Sequence, residues 1–274
     1  MSILPASAIT QASSLPTEAN RQDACVTRLF GRLEVYRDET PRTAAMNMAI
    51  DEALLQSAKV PSLRFYRWNH PALSFGYFGK FADVEAYANE RDLVRRWTGG
   101  GIVLHGDDLT YSIIIPAGDP AFAHATMSIY EKIHEAIRSA LVASGKHAEL
   151  VSVSVAGVAD AGDASAARTV VNDSENSSRA GRGYNPDQCF ANPVRADVLV
   201  NGEKVAGAAQ RKTRGGLLQQ GSIQHVDLAR DFEVRFAHEL SSKATVRQLN
   251  PEVFDRAKEL AEGKYATVVW LRKC

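Results

Sequence analysis

Two residues fifteen positions apart, Cys189 and Lys204, are of the types that nucleophilic acyl transfer requires. The thiolate, not the thiol, attacks a carbonyl, and a neighbouring cation lowers the thiol pKa to favour it. Cys189 closes a polar stretch, so exposure is expected, whereas Cys25 and Cys274 sit near the ends without such company. Alone, a free cysteine is more often a small buried hydrophobe, and Lys204 reads equally well as a solvent-facing hairpin residue. The small Ala206-Gly207-Ala208-Ala209 run after the lysine would let a thin apolar chain lie against backbone. About a hundred residues earlier stands Arg95-Arg96-Trp97-Thr98-Gly99-Gly100-Gly101, followed by Ile102-Val103-Leu104 and His105. Successive glycines turn the backbone sharply and expose its N–H groups, which suits an acyl or phosphoryl oxygen. A hairpin turn between surface arginines has the same sequence signature. His105 reads as a general base or as a hydrogen-bonding residue within a sheet.

Elements to position these groups follow from periodicity. Leu33 to Tyr36 reads as a strand, and Thr43 caps a helix whose apolar Met46, Ala49, Ile50, Ala53 and Leu54 fall on one face. The opposite face carries Asn47, Asp51 and Glu52; adjacent acids diverge by about 100° on a helix, so this face is predicted to be solvated. Leu63 to Trp68 and Ala72 to Tyr77 read as strands separated by Asn69-His70-Pro71, with His70 a turn residue. A helical stretch is expected around Val84 to Arg91, and Leu109 to Ile115 reads as a central strand. Ile129, Ile133, Ile137 and Leu141 recur every four residues in a helix over Ser128 to Ser144, ended by Gly145. Asn201-Gly202 between Asp197–Val200 and Lys204–Ala206 predicts a hairpin, and Leu217 to Ile223 a further strand. Helices are expected over Asp231 to Leu240 and, capped by Asn250 with Pro251 in the first turn, over Glu252 to Glu262.

The expected fold class is therefore α/β (α+β), a single domain with a mixed sheet flanked by helices and no second domain or internal repeat. Residues 1–24, rich in Ser, Thr, Ala and Pro, read as a mobile extension. The Ala-, Gly-, Asp-, Ser- and Asn-rich stretch over about 156–188 reads as a flexible insertion in the 25–274 domain. Its Arg179, Gly181, Arg182 and Gly183 lie in low-complexity sequence, and their likeness to an arginine-glycine phosphate loop is taken as coincidence.

Totals narrow the function classes. Thirty-two basic residues balance thirty-two acidic ones, so no overall field would draw nucleic acid or an anionic membrane. Three separated cysteines suit neither a disulfide framework nor a zinc site and point to a reducing cytoplasm. No apolar run reaches the length of a membrane span or of a signal peptide's core. The remaining histidines, among them His124, His134, His147, His225 and His238, form no Cys/His cluster or H-E-x-x-H pattern, so no metal site is expected. No G-x-S-x-G elbow supports a serine triad.

Five ordered motifs carry a resemblance. They are Asn47-Met48-Ala49-x-Asp51-Glu52-Ala53-Leu54-Leu55, Arg95-Arg96-x-Thr98-Gly99-Gly100 with His105, Leu109-Thr110-Tyr111-Ser112, Lys204-Val205-Ala206-Gly207-x-Ala209-Gln210 and Gln220-Gly221-Ser222-Ile223. Together they resemble the lipoate–protein ligase A and octanoyltransferase family over about Val26 to Leu271, apart from the insertion. The resemblance implies a domain similar to biotin ligase and class II synthetase cores, attaching octanoyl or lipoyl groups to a lysine of lipoyl-carrier proteins. Cys189-Phe190 followed by Lys204 resembles the cysteine and activating lysine of the ligase-like octanoyltransferases, as does Asp108-Leu109-Thr110-Tyr111-Ser112. The implied donor is acyl carrier protein, the acceptor a glycine cleavage H protein or a lipoyl domain, and no cofactor is tightly bound.

Gly99-Gly100-Gly101, in contrast, is the ligase form of the turn. The ligase alternative implies ATP and Mg, with Lys204 and Arg96 holding the carboxylate and phosphate of an acyl adenylate over Gly101 to Leu104. A third reading is a non-catalytic acyl- or partner-binding module. The residues expected at a substrate are Arg96, Thr98, Gly99, Gly100, Gly101, Ile102, Val103, Leu104, His105, Ala206 and Gly207.

Overall fold

The computed structural model describes residues 28–152 and 193–273. The expected extension over 1–24 and insertion over 156–188 lie outside the described residues. Strands β1 (Leu33–Arg37), β2 (Ser62–Tyr66), β6 (Leu109–Pro116), β7 (Ala148–Leu150), β8 (Val198–Val200), β9 (Glu203–Lys212), β10 (Gly216–Ile223) and β11 (Ala244–Arg247) form one mixed sheet. Its order is β11-β1-β2-β6-β10-β9-β8-β7, parallel at β11-β1-β2 and antiparallel beyond. A second sheet of β3 (Ala72–Phe75), β4 (Asp92–Arg95) and β5 (Ile102–His105) has the order β4-β3-β5. The expected strands on either side of Asn69-His70-Pro71 thus part company into different sheets. In place of a helix around Val84 to Arg91 stand two short 3₁₀ turns, Phe81–Asp83 and Glu85–Tyr87.

Central strand β6 is buried along its whole length because both faces are covered. Its Tyr111, Ile113 and Ile115 meet Ile129, Ile133 and Ile137 of helix α2 (Thr126–Ala143) and Phe232 and Phe236 of helix α3 (Phe232–Leu240). Alternation sends Ile114 to the other face, against helix α1 (Ala44–Ser57) and Ala257 and Leu260 of helix α4 (Pro251–Leu260). Thr43 and Asn250 cap α1 and α4 through their side chains, accepting from the Met46 and Glu252 N–H groups. Asn201 and Gly202, with φ of 53° and 83°, make the two-residue turn between β8 and β9.

The solvated face expected for α1 is not found: Asn47, Asp51 and Glu52 are all buried. Arg64 on β2, itself fully buried, explains two of them. Its guanidinium donates to Asp51 Oδ1 at 2.8 Å, to Asn47 Oδ1 at 2.8 Å and to Asp38 Oδ2 at 2.6 Å. Ser112, Tyr66 and Gln220 side chains donate to the same Asp51 carboxylate. Glu52 accepts from Lys264 and Tyr265 near the C-terminal helix α5 (Val268–Leu271). Burial of charge is tolerated here because each charge is paired and hydrogen-bonded.

Two outcomes are expected. Asp51→Ala removes one of the two carboxylates paired with the buried Arg64 and leaves Ser112, Tyr66 and Gln220 without their acceptor, and should lower unfolding free energy by about 3–5 kcal/mol, against under about 1 kcal/mol for Asp255→Ala at an exposed pair, read by urea unfolding. Burial holds the His134 imidazole down at about 4, while its bond to the Ala196 carbonyl and Asp197's charge pull the other way. Between pH 6.5 and 4 the unfolded chain therefore binds a proton that the folded one does not. This group's contribution is complete above pH 6.5 and should fall by about 3 kcal/mol as pH drops to 4, a slope that His134→Gln removes.

Candidate active site

Between the two sheets lies a cavity of about 330 Å³, at the small end of the roughly 300–1,000 Å³ typical of ligand pockets. Met48, Tyr66 and Trp68 form its apolar floor, and the glycine turn and β9 its two sides. Of the expected residues, Arg96, Gly100, Gly101, Val103, His105, Lys204 and Gly207 line it. Strand alternation separates Val103 and His105 from Ile102 and Leu104, which pack with Leu73 and Phe75 on the other face of the small sheet. Ala206 is buried in the main core and is likewise off the cavity wall. Thr98 and Gly99 brace the turn from behind. Cys189 lies outside the described residues.

The turn is fixed by its own arginine. Arg96 Nη2 donates to the carbonyls of Gly99 at 3.1 Å and Gly101 at 2.8 Å, and Nη1 to Ser74 Oγ at 2.7 Å. In a trans peptide the N–H opposes the C=O, so the Gly99 carbonyl on Arg96 turns the Gly100 N–H the opposite way. Gly100 has φ of 82°, and a Cβ on Gly76 would lie 2.0 Å from the Gly100 carbonyl oxygen. Both positions therefore require glycine. Thr98 Oγ1 donates to Gln220 Oε1 at 2.9 Å, and Gln220 in turn to Asp51, tying the turn to the buried charge cluster. Arg96 thus braces the turn internally through three contacts to protein while also lining the cavity.

His105 stacks on Trp68 with ring centroids 4.1 Å apart. Its Nε2 lies 2.6 Å from Ser74 Oγ and its Nδ1 2.8 Å from Asp108 Oδ2, so both ring nitrogens are engaged within the protein. Burial would raise the Asp108 carboxyl, but the His105 charge and the bonds from His105, Ser222 and Thr110 outweigh it and hold the group down at about 2. His105 is thus a hydrogen-bonded residue of the cavity wall, and contacts to a hydroxyl on one nitrogen and a carboxylate on the other fit either of its two readings.

Lys204 occupies the opposite wall. Its Nζ lies 2.8 Å from Asp197 Oδ2, and Asp197 also accepts from Tyr130 Oη at 2.6 Å and the Val194 N–H at 2.8 Å. The lysine reaches back across Gly207: a Cβ there would lie 2.8 Å from Lys204 Cε and 3.0 Å from Nζ. The glycine three residues on is therefore what lets this side chain lie along its own strand. Lys204 is not the solvent-facing hairpin residue that it could have been.

Sequence reasoning missed Ser74, Asp197 and Tyr130. The hairpin offered one signal: an acid at the foot of β8 stands near the β9 lysine once Asn201-Gly202 sets the pairing. Among the described residues no group of three His, Cys, Asp or Glu side chains is placed to hold a metal ion. Nor, among them, is any helix long and apolar enough to cross a membrane.

The profile of the lipoyl protein ligase A/B catalytic domain matches residues 43–248. "Octanoyltransferase LipM" of Oceanobacillus iheyensis is 38% identical over 196 residues, spanning 69% of this chain and 62% of that protein. The chain thus aligns with a little under two thirds of that relative's length. The Brevibacillus brevis protein of the same name is 33% identical, over 75% of this chain and 70% of its own. Among solved structures, a T. acidophilum protein with bound lipoic acid superposes with a TM-score of 0.65 at 21% identity, covering 89% of this chain and 99% of its own. A lipoate-protein ligase A bound with ATP gives 0.63 at 22%, covering 89% and 98%. Those structures share the fold, and the matched motifs place the chain in the lipoyl protein ligase A/B catalytic-domain family.

Proposed function

We propose that the protein is an octanoyltransferase of protein lipoylation, carrying an octanoyl or lipoyl group through a cysteine thioester to a lysine of a lipoyl-carrier protein. The observation that carries this reading is Lys204, held over Gly207 by Asp197 at the side of a small apolar cavity. Relatives at 33–38% identity bear the name octanoyltransferase. Cys189 precedes the cavity-lining Val194 by five residues, and five extended residues span roughly 18 Å at most, a separation compatible with a thioester at Cys189 served by this cavity.

In the first step the Cys189 thiolate attacks the thioester carbonyl of the acyl carrier protein, and the carrier's thiolate leaves. The ammonium of Lys204 favours the Cys189 anion, and backbone N–H groups of the glycine turn suit the oxygen on which charge develops. In the second step the acceptor's lysine amine attacks the enzyme thioester, expelling the Cys189 thiolate and releasing one proton as the amide forms. Exchange of thioester for amide is downhill, so the route requires neither ATP nor a bound metal or cofactor. A glycine cleavage H protein or a lipoyl domain is the proposed acceptor, and the cytoplasm the proposed setting. The ligase alternative would use Lys204 for an acyl adenylate made with ATP and Mg, and would leave Cys189 dispensable.

Incubation with octanoyl-acyl carrier protein should give a hydroxylamine-labile mass adduct on Cys189, and Cys189→Ser should abolish transfer. Lipoate attachment that requires ATP and survives Cys189→Ser would establish the ligase reading instead; use of neither donor would leave a binding module. Gly207→Ala should push Lys204 aside, cut transfer by about 10- to 100-fold and raise the pH at which Cys189 becomes reactive to iodoacetamide. Unchanged reactivity would separate Lys204 from the thiol.

A further inference from the structure

Beside the glycine turn the surface carries an aromatic held out into solvent within a group of cations. Phe78 is 86% exposed, yet its turn is rigid. The buried Arg95 donates through Nη1 to the carbonyls of Tyr77 at 2.8 Å and Gly79 at 2.6 Å, and Gly79 N–H closes the turn on Gly76 at 2.9 Å. The remaining Arg95 donors hold the carbonyls of Trp270, Leu271 and Lys273, which fastens the C-terminal helix to the same turn. Its one ring contact is edge-to-face with Tyr77, at 5.0 Å between centroids, and most of the ring is left in water; an apolar ring fixed in this way has the character of an interface anchor, because little ordering entropy is lost when a partner covers it.

Around it cations predominate, although Glu52 pairs with Lys264 and Glu85 with Arg272. Lys273 Nζ bonds the Tyr77 hydroxyl and lies 4.5 Å from the Tyr77 ring centroid, and the Arg211 guanidinium lies 4.8 Å from the same centroid. Lys264 stands 4.3 Å from the Trp270 ring. The Lys273 hydrogen bond, with the charges of Lys273, Arg211 and Lys264, outweighs slight desolvation and lowers the Tyr77 pKa. Lys264 has Glu52 as its counterion, whereas among the described residues no carboxylate is paired with Arg211 or Lys273. In a chain with zero formal net charge this is a local concentration of positive charge. It borders the cavity mouth: Tyr77 N–H donates to the Thr98 carbonyl, Arg211 to the Trp97 carbonyl, and Gly76 packs on Gly99 and Gly100.

We infer that Phe78, Arg211 and Lys273 form the docking surface for the acyl donor, a carrier protein that bears its thioester on an anionic phosphodiester arm. This rests on the transferase reading above. The acceptor's reacting lysine brings a charge of the same sign as these cations, so the donor is the partner whose reacting arm they complement. The phosphodiester and an acidic carrier face are attracted by them, and rim charges of this kind steer encounter.

The test compares two donors, octanoyl-acyl carrier protein and the phosphate-free N-acetylcysteamine thioester of octanoate, in the wild type and in a Phe78→Ala/Lys273→Glu variant. The variant should raise KM for the carrier protein by about tenfold or more while turnover of the small thioester and KM for the acceptor domain stay within about twofold. Small-thioester turnover also reports that the variant is folded. An unchanged carrier KM, or a rise in the acceptor's KM instead, overturns the assignment. Loss with both donors alike would mean that the patch supports the fold and is not a docking surface. A wild type that takes no octanoyl group from either donor defeats the transferase reading, and this inference with it.

Discussion

A single buried carboxylate joins the parts that make the cavity. Asp51 accepts from Arg64, Ser112, Gln220 and Tyr66, so one side chain binds helix α1 to strands β2, β6 and β10. Through Gln220 and Thr98 the same network reaches the glycine turn. Such a cluster is costly unless its charges are paired; here the charges are paired, Arg64 Nε is, among the described residues, the one buried N–H of that guanidinium without a partner, and few alternative arrangements are tolerated. The turn's position relative to the large sheet is therefore set by hydrogen bonds behind it, leaving its front to shape the cavity.

The two cavity walls use the same device. In each, a cation lies against its own backbone where glycine removes the Cβ: Arg96 under Gly99 to Gly101, and Lys204 across Gly207. Arg96 meets carbonyls and a hydroxyl, which hold the shape of the turn. Lys204 meets a carboxylate, Asp197, which is itself held by Tyr130 and a backbone N–H. A pre-positioned ammonium loses little freedom when an anion forms beside it, which is the condition for its stabilising a thiolate or an oxyanion.

Much of this was legible in the residues because local chemistry dictates it. Asn201-Gly202 specifies its turn, Thr43 and Asn250 cap the helices they precede, and the four-residue recurrence of Ile129, Ile133 and Ile137 gives the face of α2 that meets the sheet. The family motifs pointed to Lys204 and to the turn. What stayed hidden depends on partners distant in sequence. The polar face of α1 looks solvated until Arg64 arrives from β2 and Lys264 and Tyr265 from more than two hundred residues away. Ser74 sits within an apolar strand and declares itself only when β3 brings it to His105 and Arg96. Strand β11 is exposed at the sheet's edge and has no apolar alternation to betray it.

Covalent passage of the acyl group through the enzyme is the central claim for this protein. Octanoyl-enzyme formed in the absence of acceptor, freed of donor and then mixed with a lipoyl domain in a rapid-quench experiment without ATP, measures this directly. The account predicts that the label leaves the enzyme and appears on the acceptor lysine with one time course, at a rate no slower than steady-state turnover. An octanoyl-enzyme that is inert to the acceptor, or that delivers its label only when ATP is added, would contradict it.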